Sequence, residues 1–180
     1  MNKGIDSIDM VIFVEKTVYH GTNNDSAKQI LKAQKFYPSI KSNEWAGHGI
    51  YFFGDNCLEQ AKNNAYKWAK YIKKFQEKDI AILRTNIEFS SNQLLDFTDE
   101  EILRQYNEFK EEILGIIYRK HIVKKDEKAK NLASKLDCEL INRFCEKNLY
   151  CIVKRSVYIN FNKCPSTIPN CTIYCVRDSS

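Results

Sequence analysis

Two short segments combine strand-forming residues with glycines, and they constrain the fold of this chain more than any other feature. The first reads Tyr19-His20-Gly21-Thr22, and the second reads Gly-His-Gly-Ile-Tyr-Phe-Phe over residues 47–53. β-Branched and aromatic residues favour strands, and glycine lets a ligand approach the backbone closely. We therefore predict two strands, the first ending at His20 and the second spanning 49–53, that meet at a pocket.

Hydrophobic spacing places the other elements around these two strands. Apolar residues at helical spacing predict four helices, which begin near Asn23, Asn56, Thr98 and Asp126. Thr98 and Glu101 form the pattern of a capping box, and residues 94–97 are predicted as the approach to that helix. β-Branched residues and period-two alternation predict strands at 80–89, 150–159 and 171–176. This order predicts an α+β fold with a mixed or antiparallel sheet.

The length and charge of the chain limit the number of domains and the kinds of partner that it can have. The 180 residues fit one domain, which we take as 1–180 with a helical insertion at about 97–148. The net charge of +5 permits a nucleic-acid or acidic-protein partner without requiring one. No stretch approaches the roughly 20 apolar residues of a membrane span, and residues 1–10 lack the pattern of a signal peptide. We therefore expect a cytoplasmic protein that is not inserted in a membrane.

The cysteines and histidines do not form a metal-binding pattern. The seven cysteines are scattered, no pair has Cys-x-x-Cys spacing, and the three histidines stand apart from them. Structural zinc sites require clustered cysteine and histidine ligands. We therefore predict that no metal is bound and that the cysteines are reduced, mostly small buried residues.

The residues of the two glycine-containing segments suit a flat ring that carries a carboxamide, such as nicotinamide. Gly21 can present a backbone N–H and C=O to the amide, and Tyr51 can lay its ring on the ligand. Gly49 lets the ligand approach the second strand, and His20 can bind a ribose hydroxyl. The two segments therefore predict a dinucleotide pocket.

These motifs, in this order, resemble those of the ADP-ribosyltransferase superfamily, including the catalytic domains of poly-ADP-ribose polymerases and small bacterial toxin-like members. The resemblance implies a split mixed or antiparallel sheet with flanking helices, and NAD as co-substrate. It implies that His20 holds the adenosine ribose, that Gly21 meets the carboxamide with Thr22 lining the site, and that Tyr51 stacks on the ring. His20 and Tyr51 would be the catalytic residues.

The resemblance extends beyond the two motifs. Residues 27–39 are similar to the helix and Pro-Ser segment of the family, although Lys35 stands where glycine is usual. The alanine-rich helix after Phe53 is also similar, and it offers Tyr66 as a second ring to enclose the nicotinamide, at a longer spacing from Tyr51 than the family pattern. The first half of the chain matches well and the second half loosely.

The third catalytic position departs from the family pattern. Members of the family usually carry a glutamate at or just before the last core strand, where it stabilises positive charge on the ribose. Residues 169–173 read Pro-Asn-Cys-Thr-Ile, without an acid. Glu139, Glu146 and Asp178 are the candidates elsewhere, and the third residue stays open.

The resemblance implies an NAD-dependent mono-ADP-ribosyltransferase that modifies a protein or nucleic-acid acceptor and releases nicotinamide. By analogy of fold and size, it implies a bacterial toxin or defence effector with an inhibitory partner protein. Two alternatives remain. One is an RNA 2′-phosphotransferase, which would need an arginine near the histidine, whereas the first arginine is Arg84. The other is an inactive module that binds NAD or ADP-ribose.

Overall fold

The computed structural model describes residues 11–55, 57–120, 129–161 and 165–177. These residues form an α+β fold with a six-stranded, mostly antiparallel sheet and four α-helices. The strands are β1 (Phe13–Asn23), β2 (Ile50–Phe53), β3 (Ile80–Ser90), β4 (Leu94–Asp96), β5 (Ile152–Val157) and β6 (Cys171–Val176). The helices are α1 (Asn24–Ala33), α2 (Leu58–Lys67), α3 (Glu100–Lys120) and α4 (Ala129–Asn148). A π-helical turn, Trp68–Ile72, follows α2 directly.

The sheet has the order β3-β1-β2-β6-β5-β4, and the paired stretch is shortest between β1 and β2. β1 pairs with β3 along its whole length of 11 residues, and all four residues of β2 pair with β6. In contrast, one register pair, Tyr19 with Phe53, joins β1 to β2 within the described residues. The two strands therefore separate where Gly21 would otherwise face Tyr51, and an opening forms there.

Adjacent residues of each strand point to opposite faces of the sheet, which gives the molecule two apolar clusters. One cluster contains Val18, Phe52 and Tyr174. The other lies under the helices and contains Leu95 and Val153, with aromatic side chains from α3 and α4. In the sequence, these two helices come after β4 and before β5, where a helical insertion is predicted. They contribute much of the second cluster.

The α+β class and the strands at 80–89 and 171–176 are confirmed, but several local predictions are wrong. β1 does not end at His20, because pairing with β3 continues to Asn23. The segment at 94–97 contains β4, which lies parallel to β5. Asp99, not Thr98, caps α3: its carboxylate accepts the N–H groups of residues 101 and 102, whereas the Thr98 hydroxyl donates to Asp96. A carboxylate at a helix N-terminus has both the hydrogen bonds and the favourable dipole interaction.

None of the helices in the described ranges is long and apolar enough to cross a membrane. The six cysteines in those ranges are free, and four of them are buried: Cys138, Cys145, Cys171 and Cys175. Burial raises the pKa of the Cys145 and Cys171 thiols to about 12. These side chains therefore serve as small apolar residues of the core.

Candidate active site at the opening of the sheet

A cavity of about 390 Å³ lies where β1 and β2 separate. Four of the predicted site residues, His20, Gly21, Gly49 and Tyr51, line it. His20 and Gly21 lie on β1, Tyr51 lies on β2, and Gly49 directly precedes β2, so the sheet brings together residues about 30 positions apart in sequence.

Two other predicted site residues lie outside the cavity lining. Thr22 is buried in β1 opposite Ala81 of β3. Tyr66 lies on α2, where the Lys70 ammonium stands over its ring at 5.6 Å. The structure therefore does not bring Tyr66 to Tyr51 as the second ring of this cavity.

The imidazole of His20 bridges the opening between the strands. Its Nδ1 lies 2.8 Å from the carbonyl oxygen of Tyr51, and its edge contacts the rings of Phe36 and Phe52. Since a carbonyl can only accept, Nδ1 carries the proton. Burial lowers the pKa of His20, with a smaller contribution from the charge of Lys73, although the bond to the Tyr51 carbonyl acts in the opposite direction. The neutral ring then has Nε2 as an acceptor for a ligand hydroxyl.

The hydroxyl of Tyr51 holds the preceding loop rather than facing a ligand. It donates to the carbonyl of Gly47 at 2.6 Å and accepts the N–H of Ala46 at 2.9 Å. Burial raises the pKa of Tyr51, and the nearby Cys175 and Glu44 raise it further. The side chain is therefore neutral, and its fixed, half-buried ring contributes a flat apolar surface to the cavity.

The loop at 40–48, which we call the pocket loop, is closed at its base and held against α4. Ser39 and Gly49 exchange two backbone hydrogen bonds of 2.8 and 3.0 Å at the base. The side chain of Asn142 on α4 accepts the N–H of His48 at 2.8 Å. Gly47 has a φ of +77°, and a Cβ there would lie 2.6 Å from the Asn142 Oδ1 atom, so this tight packing requires glycine.

The pocket loop and the π-helical turn supply cavity residues that the sequence analysis missed. The two tryptophans of the chain, Trp45 and Trp68, both line the cavity and meet edge to face with centroids 5.7 Å apart. Lys41 and Lys73 line it as well. Trp68 has the spacing of a core residue on a regular helix, and loop residues such as Trp45 have no periodicity, so the only signal was the rarity of tryptophan itself.

The three carboxylates that the sequence offered for the third position do not meet the cavity. Glu139 and Glu146 lie exposed on α4, where they pair with Arg143 at 2.6 Å and Arg177 at 3.7 Å. Asp178 lies outside the described residues. On β6, the cavity is lined by Ile173, which is apolar.

The described residues contain no group of three histidine, cysteine, aspartate or glutamate side chains that could hold a metal ion. The cavity instead combines aromatic surfaces, a neutral imidazole, backbone groups beside glycines and two ammonium groups. This set suits an organic ligand that carries both a flat ring and negative charge.

Comparison with known proteins adds one relative. Over 95 residues the chain is 32% identical to a Methanocaldococcus jannaschii protein with the name Uncharacterized protein MJ0359, and the match covers 51% of this chain and 42% of that protein. The chain thus spans less than half the length of this relative, whose name states no activity. No protein-family model matches the chain. No solved structure matches it either.

The lowered pKa of His20 leads to a prediction about stability. Between that pKa and the ordinary value of 6.5, the unfolded chain binds more protons at this site than the folded protein. The contribution of His20 to the free energy of unfolding is therefore fully present above pH 6.5 and is lost as the pH falls through the folded pKa. We expect the free energy of unfolding of wild type, measured relative to that of His20→Asn, to decrease as the pH falls from about 7.5 to about 5.5.

Denaturant unfolding of both proteins at the two pH values measures this difference. Asparagine is the matched variant, because its amide can still donate to the Tyr51 carbonyl but does not titrate. A stability difference that is the same at both pH values would contradict the description of His20 as a half-buried, neutral imidazole.

Proposed function

We propose that this protein is an NAD-dependent mono-ADP-ribosyltransferase with an ADP-ribosyltransferase-like fold, which transfers ADP-ribose to a protein or nucleic-acid acceptor and releases nicotinamide. The observation that carries the proposal is the convergence of His20, Gly21 and Tyr51 on one cavity, at the point where β1 and β2 separate. The resemblance of the two motifs supplies the reaction.

The geometry of the cavity suits the two halves of NAD. The nicotinamide ring would lie on the Tyr51 ring, with its carboxamide at the backbone of Gly21. The neutral His20 would accept a ribose hydroxyl at Nε2, because its Nδ1–H is engaged by the Tyr51 carbonyl. The exposed ammonium groups of Lys41 and Lys73 would face the two phosphates.

The lining also bears on the RNA 2′-phosphotransferase alternative. That reaction requires several basic side chains, arginine in particular, around a phosphate on the RNA. Among the described residues, the cavity lining contains two lysines and no arginine. Arg84 lies on β3 opposite Tyr19, and in the sheet β1 separates β3 from β2. We therefore favour ADP-ribose transfer.

The test is nicotinamide release from NAD by the purified protein, alone and with total cellular RNA or a protein lysate. Tyr51→Ala should lower release by about 100-fold or more, because it removes the stacking surface and the anchor of the pocket loop. Tyr71→Ala is the matched control, since Tyr71 is exposed and lies outside the cavity lining. It should retain wild-type release.

Binding is measured separately by titrating the fluorescence of Trp45 and Trp68, the two tryptophans of the chain. Release that depends on Tyr51 and increases with RNA or with lysate would support the transferase and identify its acceptor class. Saturable binding of NAD without release in any mixture would instead favour the inactive binding module. Absence of both binding and release would contradict each of these functions.

A further inference from the structure

A negative charge beside the ribose would assist the proposed reaction. Cleavage of the bond between ribose and nicotinamide proceeds through a cation-like ribosyl group, which a carboxylate stabilises. The strand β6 offers Ile173 at the cavity, and Glu139 and Glu146 on α4 are exposed to solvent. A carboxylate that assists this reaction would therefore come from another element.

Glu44 is the one carboxylate that lines the cavity within the described part of the chain. It is half-buried on the pocket loop, and the hydroxyl of Ser39 donates to its Oε1 atom. Ser39 is itself held by the two backbone bonds to Gly49. The Glu44 charge also contributes to the raised pKa of the Tyr51 hydroxyl, so carboxylate and ring lie near each other.

Glu44 also marks the boundary between this cavity and a second one. The neighbouring cavity, of about 320 Å³, shares Glu44 and Trp45 with the first and continues toward Arg155 and Asp137. A side chain that lines both cavities can contact NAD, the ADP-ribose donor, in the first cavity and the acceptor molecule in the second. The exposed ammonium groups of Lys41 and Lys73 suit the phosphates of a dinucleotide. The Glu44 carboxylate, in contrast, suits the part of the ligand that becomes positive during the reaction.

We propose that Glu44 is the third catalytic residue and that its carboxylate stabilises the ribosyl cation next to the His20–Tyr51 pair. This inference rests on the proposed function. The bond from the ribose carbon to the nicotinamide nitrogen breaks, and its electron pair leaves on neutral nicotinamide. An acceptor oxygen or nitrogen, arriving through the second cavity, bonds to that carbon and gives its proton to Glu44.

The experiment measures kcat for nicotinamide release and the Kd for NAD in Glu44→Gln. Glutamine has the same size and can still accept from Ser39, so the pocket loop should keep its shape. We expect kcat to fall about 100-fold or more with an unchanged Kd, because the missing charge acts on the transition state rather than on bound NAD. Glu139→Gln removes a carboxylate from the exposed face of α4 and should behave like wild type.

A second variant keeps the test valid if Glu44→Gln does not fold. Ser39→Ala retains the carboxylate but removes the hydroxyl that orients it, and should lower kcat by about tenfold with an unchanged Kd. Wild-type kcat in Glu44→Gln, or a change confined to Kd, would overturn the role of Glu44 and leave the proposed function standing. Absence of NAD binding by the wild-type protein would overturn both.

Discussion

Gly21→Ala should lower the free energy of unfolding by about 3 kcal/mol, at the upper end of the usual cost of overpacking. A Cβ at this position would lie 2.0 Å from the carbonyl oxygen of Ala65 and 2.8 Å from its carbonyl carbon. Both atoms belong to the backbone of α2, so no side-chain rotation can relieve the clash. The helix must move away from β1, and the buried Ala61 and Ala65 of α2 then lose their packing in the core.

Denaturant unfolding of Gly21→Ala beside Glu15→Ala measures this effect. Glu15 is exposed on the same strand, and alanine there should cost less than about 1 kcal/mol. Under the proposed function, the variant should also lose NAD binding, because the displaced helix carries Trp68 at its end. Wild-type stability in Gly21→Ala would mean that α2 does not lie against β1 as described.

The strands were the most predictable part of this fold, because their signal is local. β6 is rich in β-branched and aromatic residues, and the predicted bounds 171–176 agree with the structure. Where partner strands decide the length, local reasoning failed: β1 runs past His20 because β3 is long enough to pair with it. The three-residue strand β4 depends in the same way on its parallel partner β5.

The cavity was predictable only on the side formed by strands. His20, Gly21, Gly49 and Tyr51 follow from two local motifs, and the sheet brings them together. Regular helical spacing predicts Trp68 as a core residue of a continuous helix, and its ring packs against the core but also lines the cavity. The chain instead enters a π-helical turn there, in which the N–H of Lys73 donates to the carbonyl of Trp68 at 3.0 Å. Such a turn changes the direction of the side chains that follow, and no local sequence pattern predicted it.

The pocket loop was not predictable because its path depends on α4. The Cys138 thiol donates to the carbonyl of Lys41, and Asn142 accepts the N–H of His48, across 97 and 94 residues of sequence. The residues just before the last strand contain no carboxylate, whereas the folded loop places Glu44 at the cavity, where the proposed reaction would use one. Sequence position is a poor guide to a site residue when a distant helix determines the shape of a loop.

Removal of the Asn142 side chain should have the second large effect. Asn142 is 6% exposed, and its Oδ1 accepts both the N–H of His48 at 2.8 Å and the guanidinium of Arg177 at 2.6 Å. Asn142→Ala removes the acceptor of the His48 N–H and of the mostly buried Arg177 guanidinium, which among the described residues keeps only its 3.7 Å pair with Glu146. We therefore expect a loss of about 3 kcal/mol in the free energy of unfolding. Asn148→Ala, on the exposed end of the same helix, loses one local hydrogen bond and should cost about 1 kcal/mol or less.

The same substitution separates the anchoring of the pocket loop from the stability of the whole protein. At a temperature where Asn142→Ala is fully folded, the freed pocket loop should weaken the proposed NAD binding by about tenfold, because binding must then order Glu44 and Trp45. Asn142→Asp supplies the matched comparison: its carboxylate can accept both hydrogen bonds, so it should bind NAD more tightly than the alanine variant. Equal binding by folded Asn142→Ala and wild type would show that α4 does not hold the loop in its ligand-binding shape.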